Sequence, residues 1–204
     1  MHYHPMPCMI TRYPLNFQVL WAVTVSVLLL WVLSQAVPAR AGDTLGIAYI
    51  ANYNAGTVST YTIAPDGNLL LRDSVAAGQG TRALALHPSK RYLYAANNLS
   101  HEITLYDIDR FGTLTKRRTS GPILSETIFD PARSMAISPN GLRLYLPEYL
   151  DTPDCIPVCA PANSWLKIYA IDGGFLEFQT TVDSGQIPRV VAVTHAGLNV
   201  YVAT

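Results

Sequence analysis

The sequence predicts an all-β chain built of β-propeller blades: about three four-stranded antiparallel blades plus part of a fourth, in an incomplete ring. Three observations carry this. A long segment recurs three times, its pieces have strand and hairpin chemistry, and the spacing of the copies is that of a propeller blade. Arg82-Ala-Leu-Ala-Leu-His-Pro-Ser-Lys-Arg-Tyr-Leu-Tyr94-Ala-Ala-Asn97 aligns with Arg133-Ser-Met-Ala-Ile-Ser-Pro-Asn-Gly-Leu-Arg-Leu-Tyr145-Leu-Pro-Glu148. A third copy runs from Arg189 to Thr204, and in all three the Arg precedes the Tyr by twelve residues. A partial copy, Ile47-Ala-Tyr49-Ile-Ala-Asn52, lacks the Arg half. The aromatic recurs after 45, 51 and 56 residues, at Tyr49, Tyr94, Tyr145 and Tyr201. The last interval is stretched by an insertion at 151–164.

Each copy resolves into four short elements. The Arg segment is an inner strand a, and the Leu-Tyr segment is strand b. Strand c follows as Thr57-Val-Ser-Thr-Tyr61, Glu102-Ile-Thr-Leu-Tyr106 and Trp165-Leu-Lys-Ile-Tyr169. A glycine turn then leads into strand d, as in Asp66-Gly67-Asn68-Leu69 and Asp172-Gly173-Gly174-Phe175-Leu176. Segments of four to eight residues, rich in β-branched and aromatic side chains and bounded by Gly, Pro, Asn and Asp, are strands joined by hairpins. The chain therefore reads b-c-d, a-b-c-d, a-b-c-d, a-b, thirteen strands in all. Even a four-bladed ring would need sixteen, so the expectation is a truncated product of a longer propeller, or a ring whose remainder a second chain supplies.

Before this body lies an expected signal peptide, residues 1–41. Val19 to Leu33 is a 15-residue apolar run after Arg12, and Ala39-Arg40-Ala41 supplies the small-x-small pattern of a cleavage site. Cleavage before Gly42 is the leading reading. The alternative is an uncleaved anchor, the only contact with a membrane that the sequence suggests, although a span needs about 18 or more apolar residues. Either way the propeller body, 42–204, is expected to be exported, to the periplasm or secreted. Cys155 and Cys159, close together in the insertion, then read as a disulfide that pins a local loop.

Composition excludes several functions. The whole chain carries 14 Lys and Arg against 14 Asp and Glu; without the leader it holds 12 against 14, a net of −2. Such a body has no basic footprint for phosphate backbones, so no nucleic-acid partner is expected. His101-Glu102 opens like a zincin motif, but Leu105 stands where the second His belongs. The cysteine spacing suits neither haem attachment nor a structural zinc site. No metal and no cofactor is expected. Asn98-Leu99-Ser100 is a glycosylation acceptor pattern, meaningful only in a eukaryotic secretory route.

The repeat, with its Ser/His-Pro, Asn-Gly or similar turn, Leu-Tyr-Val/Ala-Ala-Asn and Ile-Asp-Gly-Phe-Leu, resembles the seven-bladed lactonase family, which is 6-phosphogluconolactonase-like and related to carboxymuconate cyclases. The resemblance runs from Gly46 to Thr204 and covers about the first half of such a fold. YVTN-type propellers share the Tyr-Val-Ala-Thr ending but lack the Gly-x-Leu turn. The resemblance implies an Arg, His and Glu near the central channel, from Pro-Arg-His at one inner strand and Asn-Glu-Leu after the next. Here Pro188-Arg189 is followed by Val190, and Glu148 stands one position earlier than the family's Glu.

The hairpin of strands a and b places Arg133 opposite Glu148 and Arg82 opposite Asn97, at one end of the blade; His87 and His195 fall at the other. On the functional reading, Arg133 and Arg189 steady a lactone's oxyanion with Glu148 as base, while Arg82 and Asn97 bind substrate. On the structural reading each Arg makes a cross-strand or interblade pair, a role that repeats naturally in every blade. The expected function is thus an exported lactonase-like propeller hydrolysing a sugar or related lactone in full-length form, with the 204-residue chain inactive alone. The alternative is a non-catalytic propeller that binds another protein or the cell envelope.

Overall fold

A computed structural model of the 204-residue chain describes residues 45–119, 133–149, 164–185 and 188–204. Residues 1–44, with Cys8, and most of the insertion, with Cys155 and Cys159, lie outside the described residues, so the signal peptide and the Cys155–Cys159 bridge remain sequence expectations.

The described residues form four antiparallel sheets. The first blade is β1 (Gly46–Asn52), β2 (Thr57–Ile63) and β3 (Leu69–Ala76). The second comprises β4 (Thr81–Leu86), β5 (Tyr92–Asn97), β6 (Glu102–Ile108) and β7 (Leu114–Thr119). The third comprises β8 (Ala136–Ile137), β9 (Arg143–Tyr149), β10 (Ser164–Asp172) and β11 (Phe175–Asp183). A fourth begins with β12 (Val190–Val193) and β13 (Val200–Ala203). Within each sheet the strands are ordered as they occur in the chain. This is the b-c-d, a-b-c-d, a-b-c-d, a-b reading, strand for strand, among the described residues.

The turn between inner strands is the same object three times. Lys90, Gly141 and Gly197 donate their N–H to the carbonyl three residues back, each at 2.8 Å, and all three have positive φ (58°, 74° and 71°). Lys90 adopts this conformation despite its Cβ, which costs roughly 1–2 kcal/mol.

A second recurring feature lies in the outer half of each blade. The c–d pairing shifts register just before the strand-c tyrosine, at Thr60/Tyr61, Leu105/Tyr106 and Ile168/Tyr169. The extra residue on strand d is Arg72, Arg117 and Gln179, respectively. Such a bulge bends the strand and re-aims the side chain it carries.

The core lies between blades. Tyr94, Ile103, Leu105, Leu144, Leu146 and Tyr169 share one buried cluster of the second and third blades, while Val58, Leu93, Tyr106 and Leu114 share another of the first and second. A half-exposed sheet buries one face only; a propeller blade buries both, which is why strand b reads Tyr-Leu-Tyr-Ala-Ala without alternation.

The repeated tyrosine and the repeated glycine turn meet in these junctions. Tyr49 of β1 donates its hydroxyl to the Gly112 carbonyl at 2.8 Å, and Tyr94 of β5 donates to the Gly174 carbonyl at 2.8 Å. In both cases the strand-b tyrosine of one blade caps the c–d turn of the next. The bulged arginines reach the same turns one residue earlier. Arg72 Nη1 donates to the Phe111 carbonyl at 2.7 Å, and Arg117 Nη1 donates to the Gly173 carbonyl at 3.0 Å. Glycine is required where the strand arrives: a Cβ on Gly112 would collide with Ile47, and one on Gly174 would lie 2.9 Å from the Tyr92 ring. Ile47 and Tyr92 each stand two residues before the capping tyrosine, so the two junctions share one register. Tyr106 ties the return path, donating to the Ala76 carbonyl of the first blade at 2.9 Å.

Candidate functional site

Inner strands β4, β8 and β12 are successive neighbours, and the three repeated arginines stand at their starts. Arg82, Arg133 and Arg189 are all exposed. Their placement differs in detail. Arg82 sits in a bulge at the start of β4, where pairing jumps from Thr81↔Asn97 to Ala83↔Ala96. The equidistance argument holds from Ala83 onward, but the bulge puts Thr81, not Arg82, opposite Asn97. The Arg82 guanidinium instead lies over the Tyr53 ring, 5.6 Å from its centroid. Arg133 precedes β8 by three residues, and the pairing Ala136↔Tyr145 has the register that would extend to Arg133 and Glu148. Arg189 precedes β12, its backbone N–H donating to Ala203 at 2.8 Å.

Asn97 is fully buried and serves as a polar peg. Its Oδ1 accepts from Thr81 Oγ1 at 2.8 Å, its Nδ2 donates to Thr104 Oγ1 at 2.9 Å, and its side chain leaves room only for glycine at Gly78. That set of bonds ties strands a, b and c together at one end of the blade. Glu148, at the equivalent position of the third blade, is also buried, and Lys167 Nζ on the adjacent strand lies 2.6 Å from its Oε2. Two residues of opposite charge, one turn of the pleat apart on paired strands, form a natural diagonal pair. A single carboxylate inside the sheet would be costly without such a cation.

The opposite end carries the histidines, as the hairpin geometry requires. His87 Nε2 is 2.9 Å from the Gly141 carbonyl and its Nδ1 accepts from the Ser89 N–H at 3.1 Å, which assigns the proton to Nε2. This is another interblade contact. His195 lies exposed in the β12–β13 turn.

Sequence reasoning missed two features at the arginine end. One is Lys167, whose signal was a lone Lys in an otherwise apolar strand c. The other is the β5–β6 turn. Its backbone is docked on the preceding loop, Asn98 N–H donating to Gly80 and Leu99 N–H to Gln79, both at 3.0 Å. Asn98 is only 2% exposed, so its amide is not offered as a glycosylation acceptor in the folded chain. Both its side-chain amide atoms, with Ser100 Oγ and His101 Nδ1, are buried without a hydrogen-bond partner. His101 also holds a positive φ of 54°. The Asn-Leu-Ser-His run immediately after strand b was the available signal.

Comparison with known proteins bears on the whole of this framework. The family model described as Lactonase, 7-bladed beta-propeller matches residues 72–204. A 6-phosphogluconolactonase candidate from Bacteroides uniformis is similar in structure, with a TM-score of 0.59 and 22% identity over 76% of this chain and 43% of that one. The periplasmic gluconolactonase of Pseudomonas aeruginosa gives a TM-score of 0.59 and 21% identity over 82% of this chain and 45% of that one. Hydrazine synthase of Kuenenia stuttgartiensis has a TM-score of 0.54 at 21% identity, covering 76% of this chain and 37% of that one. The chain thus spans less than half the length of each of these proteins, and at such identities the likeness is one of fold. The family match, covering well over half of the sequence, places the chain in the seven-bladed lactonase family.

Proposed function

We propose that this chain is the substrate-facing part of an exported lactonase-like propeller whose complete ring hydrolyses a sugar or related lactone to the open hydroxy acid. The observation that supports it best is the alignment of three exposed arginines at the starts of three neighbouring inner strands, within the stretch that matches the family. Guanidinium groups bind carboxylates and steady an oxyanion. On this reading Arg133 and Arg189 stabilise the charge that develops on the lactone carbonyl oxygen as water adds. Arg82 and the Asn97 end of the second blade bind the sugar ring, with the polar atoms of the Asn98–His101 turn beside them. Glu148 is the base, and Lys167 must release it for that role. Water adds to the carbonyl carbon, its proton passes to the carboxylate, and the ring oxygen leaves as the new hydroxyl. Export rests on the apolar run at 19–33 and on Ala39-Arg40-Ala41.

The test is an assay of an unphosphorylated sugar lactone with two preparations: the 204-residue chain, and the product encoded when reading continues past the Thr204 codon. The completed ring is expected to hydrolyse the lactone and to lose that activity on Arg133→Ala or Arg189→Ala; the 204-residue chain is expected to give only the spontaneous rate. Hydrolysis by the 204-residue chain overturns the claim of inactivity, and a silent complete ring overturns the enzyme reading. One observation favours a second, non-catalytic reading: Glu148 is buried and ion-paired inside the sheet. A propeller that binds a protein or the envelope needs no base, and its arginines then serve as contacts.

A further inference from the structure

One polar position recurs in each of the first three blades, and the third blade fills it differently. It joins a residue near the end of strand b to the strand-c residue two places beyond its direct partner: Asn52 to Ser59, Asn97 to Thr104 and Glu148 to Lys167. In the first blade Asn52 Nδ2 donates to Ser59 Oγ at 2.8 Å, and in the second Asn97 Nδ2 donates to Thr104 Oγ1 at 2.9 Å. In the third, Lys167 Nζ lies 2.6 Å from Glu148 Oε2. An amide and a hydroxyl have given way to a carboxylate and an ammonium, and both members of the pair have changed together. The Glu148 side chain is 1% exposed and that of Lys167 14%, so the two charges are held largely out of water.

The needs of the blade do not explain the exchange. A neutral peg ties strands b and c with an ordinary hydrogen bond, and the chain uses that solution twice. Two ions in the same place must give up far more hydration, and a buried ion pair is often no more stabilising than neutral groups that fill its space. The costlier pair stands in the blade whose inner strand follows Arg133, at the arginine end, in the register that extends to Arg133 itself. We propose that Lys167 is a positioning residue, which anchors the Glu148 carboxylate at that end so that the third blade carries a base where the first two carry a peg. The proposal rests on the lactonase reading and deepens it by giving the base its anchor. When the carboxylate takes the proton of the attacking water it becomes neutral; the ammonium, keeping its own protons, then loses its hold, which is the release that the role of base requires.

The experiment grafts the neutral peg of the second blade into the third, Glu148→Asn together with Lys167→Thr. Urea unfolding of the 204-residue chain reads the fold, and hydrolysis of an unphosphorylated sugar lactone by the completed ring reads the function. The graft is expected to unfold at the same urea concentration as the unsubstituted chain, and its ring to fall to the spontaneous rate. Lys167→Met in the ring is expected to lower kcat about 100-fold with KM within about twofold, and Lys167→Arg to recover most of that loss. A grafted ring that hydrolyses as fast as the unsubstituted one overturns the proposal and leaves the lactonase reading standing, with its base elsewhere. A graft that unfolds at markedly lower urea overturns it as well, because the pair then serves the blade itself; so does Lys167→Met with kcat unchanged. A silent unsubstituted ring overturns the lactonase reading and this proposal with it.

Discussion

At the scale of single residues, the tyrosines do two jobs at once. Their rings fill the space between blades, and their hydroxyls satisfy carbonyls of the tight c–d turns, at Gly112 and Gly174, or of a strand end, at Ala76. Burial pushes the phenols of Tyr94 and Tyr106 well above the ordinary tyrosine value, because a phenolate inside the junction would lose its hydration. The sign follows directly. A group whose value is raised by folding contributes its full share below the unfolded value of about 10 and loses it as pH climbs beyond. Thermal stability is therefore expected to be level between pH 8 and about 9.5 and to fall steeply above about pH 10; a melting temperature unchanged to pH 11.5 would contradict the buried phenols. The Glu148–Lys167 pair makes a second prediction. Lys167→Ala removes the cation 2.6 Å from a buried carboxylate and should cost about 3–5 kcal/mol in urea unfolding, with Glu148→Gln added to it recovering most of the loss.

Among whole elements, the c–d turn and the bulge before it form one device. The bulge adds a residue to strand d, that residue is aimed across the junction, and in the first two blades it is an arginine that meets the neighbouring turn. Burial of strand d should follow the same logic. Leu114→Ala, beneath the first blade, is expected to cost about 2–5 kcal/mol. The same change at Leu69 should fall within about 0.5 kcal/mol of zero, as exposed substitutions do. Equal losses in chemical denaturation would contradict the difference in burial between the two strands. The element scale also shows what was legible in the sequence. Strand order, turn positions and the glycine turns were readable because each repeats with strand-like period and fixed turn chemistry. The β8–β9 register, Ala136 opposite Tyr145, was readable too, from the midpoint of the Asn140-Gly141 turn. The bulge at Arg82 was not, since it falls at the very start of its strand, where one extra residue leaves no mark on the pattern that follows. Nor was the Glu148–Lys167 pair, because it joins strands separated by an insertion of unhelpful composition. The interblade partners of Tyr49 and Tyr94 could not be read from one blade's pattern, as they lie 63 and 80 residues away.

For the whole molecule, the described junctions are tied from both sides: Tyr49 and Tyr94 reach forward to the next blade's c–d turn, and Tyr106 and Lys116 reach back from the second blade to the first. The same pairing of strand-b tyrosine with glycine turn recurs at two junctions although the spacing differs, 63 residues for Tyr49 and 80 for Tyr94, as in other repeat architectures whose stability sums neighbour contacts. Export is tested at this scale: the protein recovered from outside the cytosol should begin at Gly42, and retention of Met1 or of the 19–33 run would favour an anchor. The junction itself is tested most directly by urea unfolding of Tyr94→Phe beside Tyr201→Phe, each of which deletes a single hydroxyl. Tyr94→Phe strands the buried Gly174 carbonyl and is predicted to lose about 1–3 kcal/mol. Tyr201→Phe, at a side chain 62% exposed, is predicted to change stability by less than about 0.5 kcal/mol. Equal effects of the two substitutions would contradict the account, because the strand-b tyrosine would then matter for its own blade and not for the one that follows.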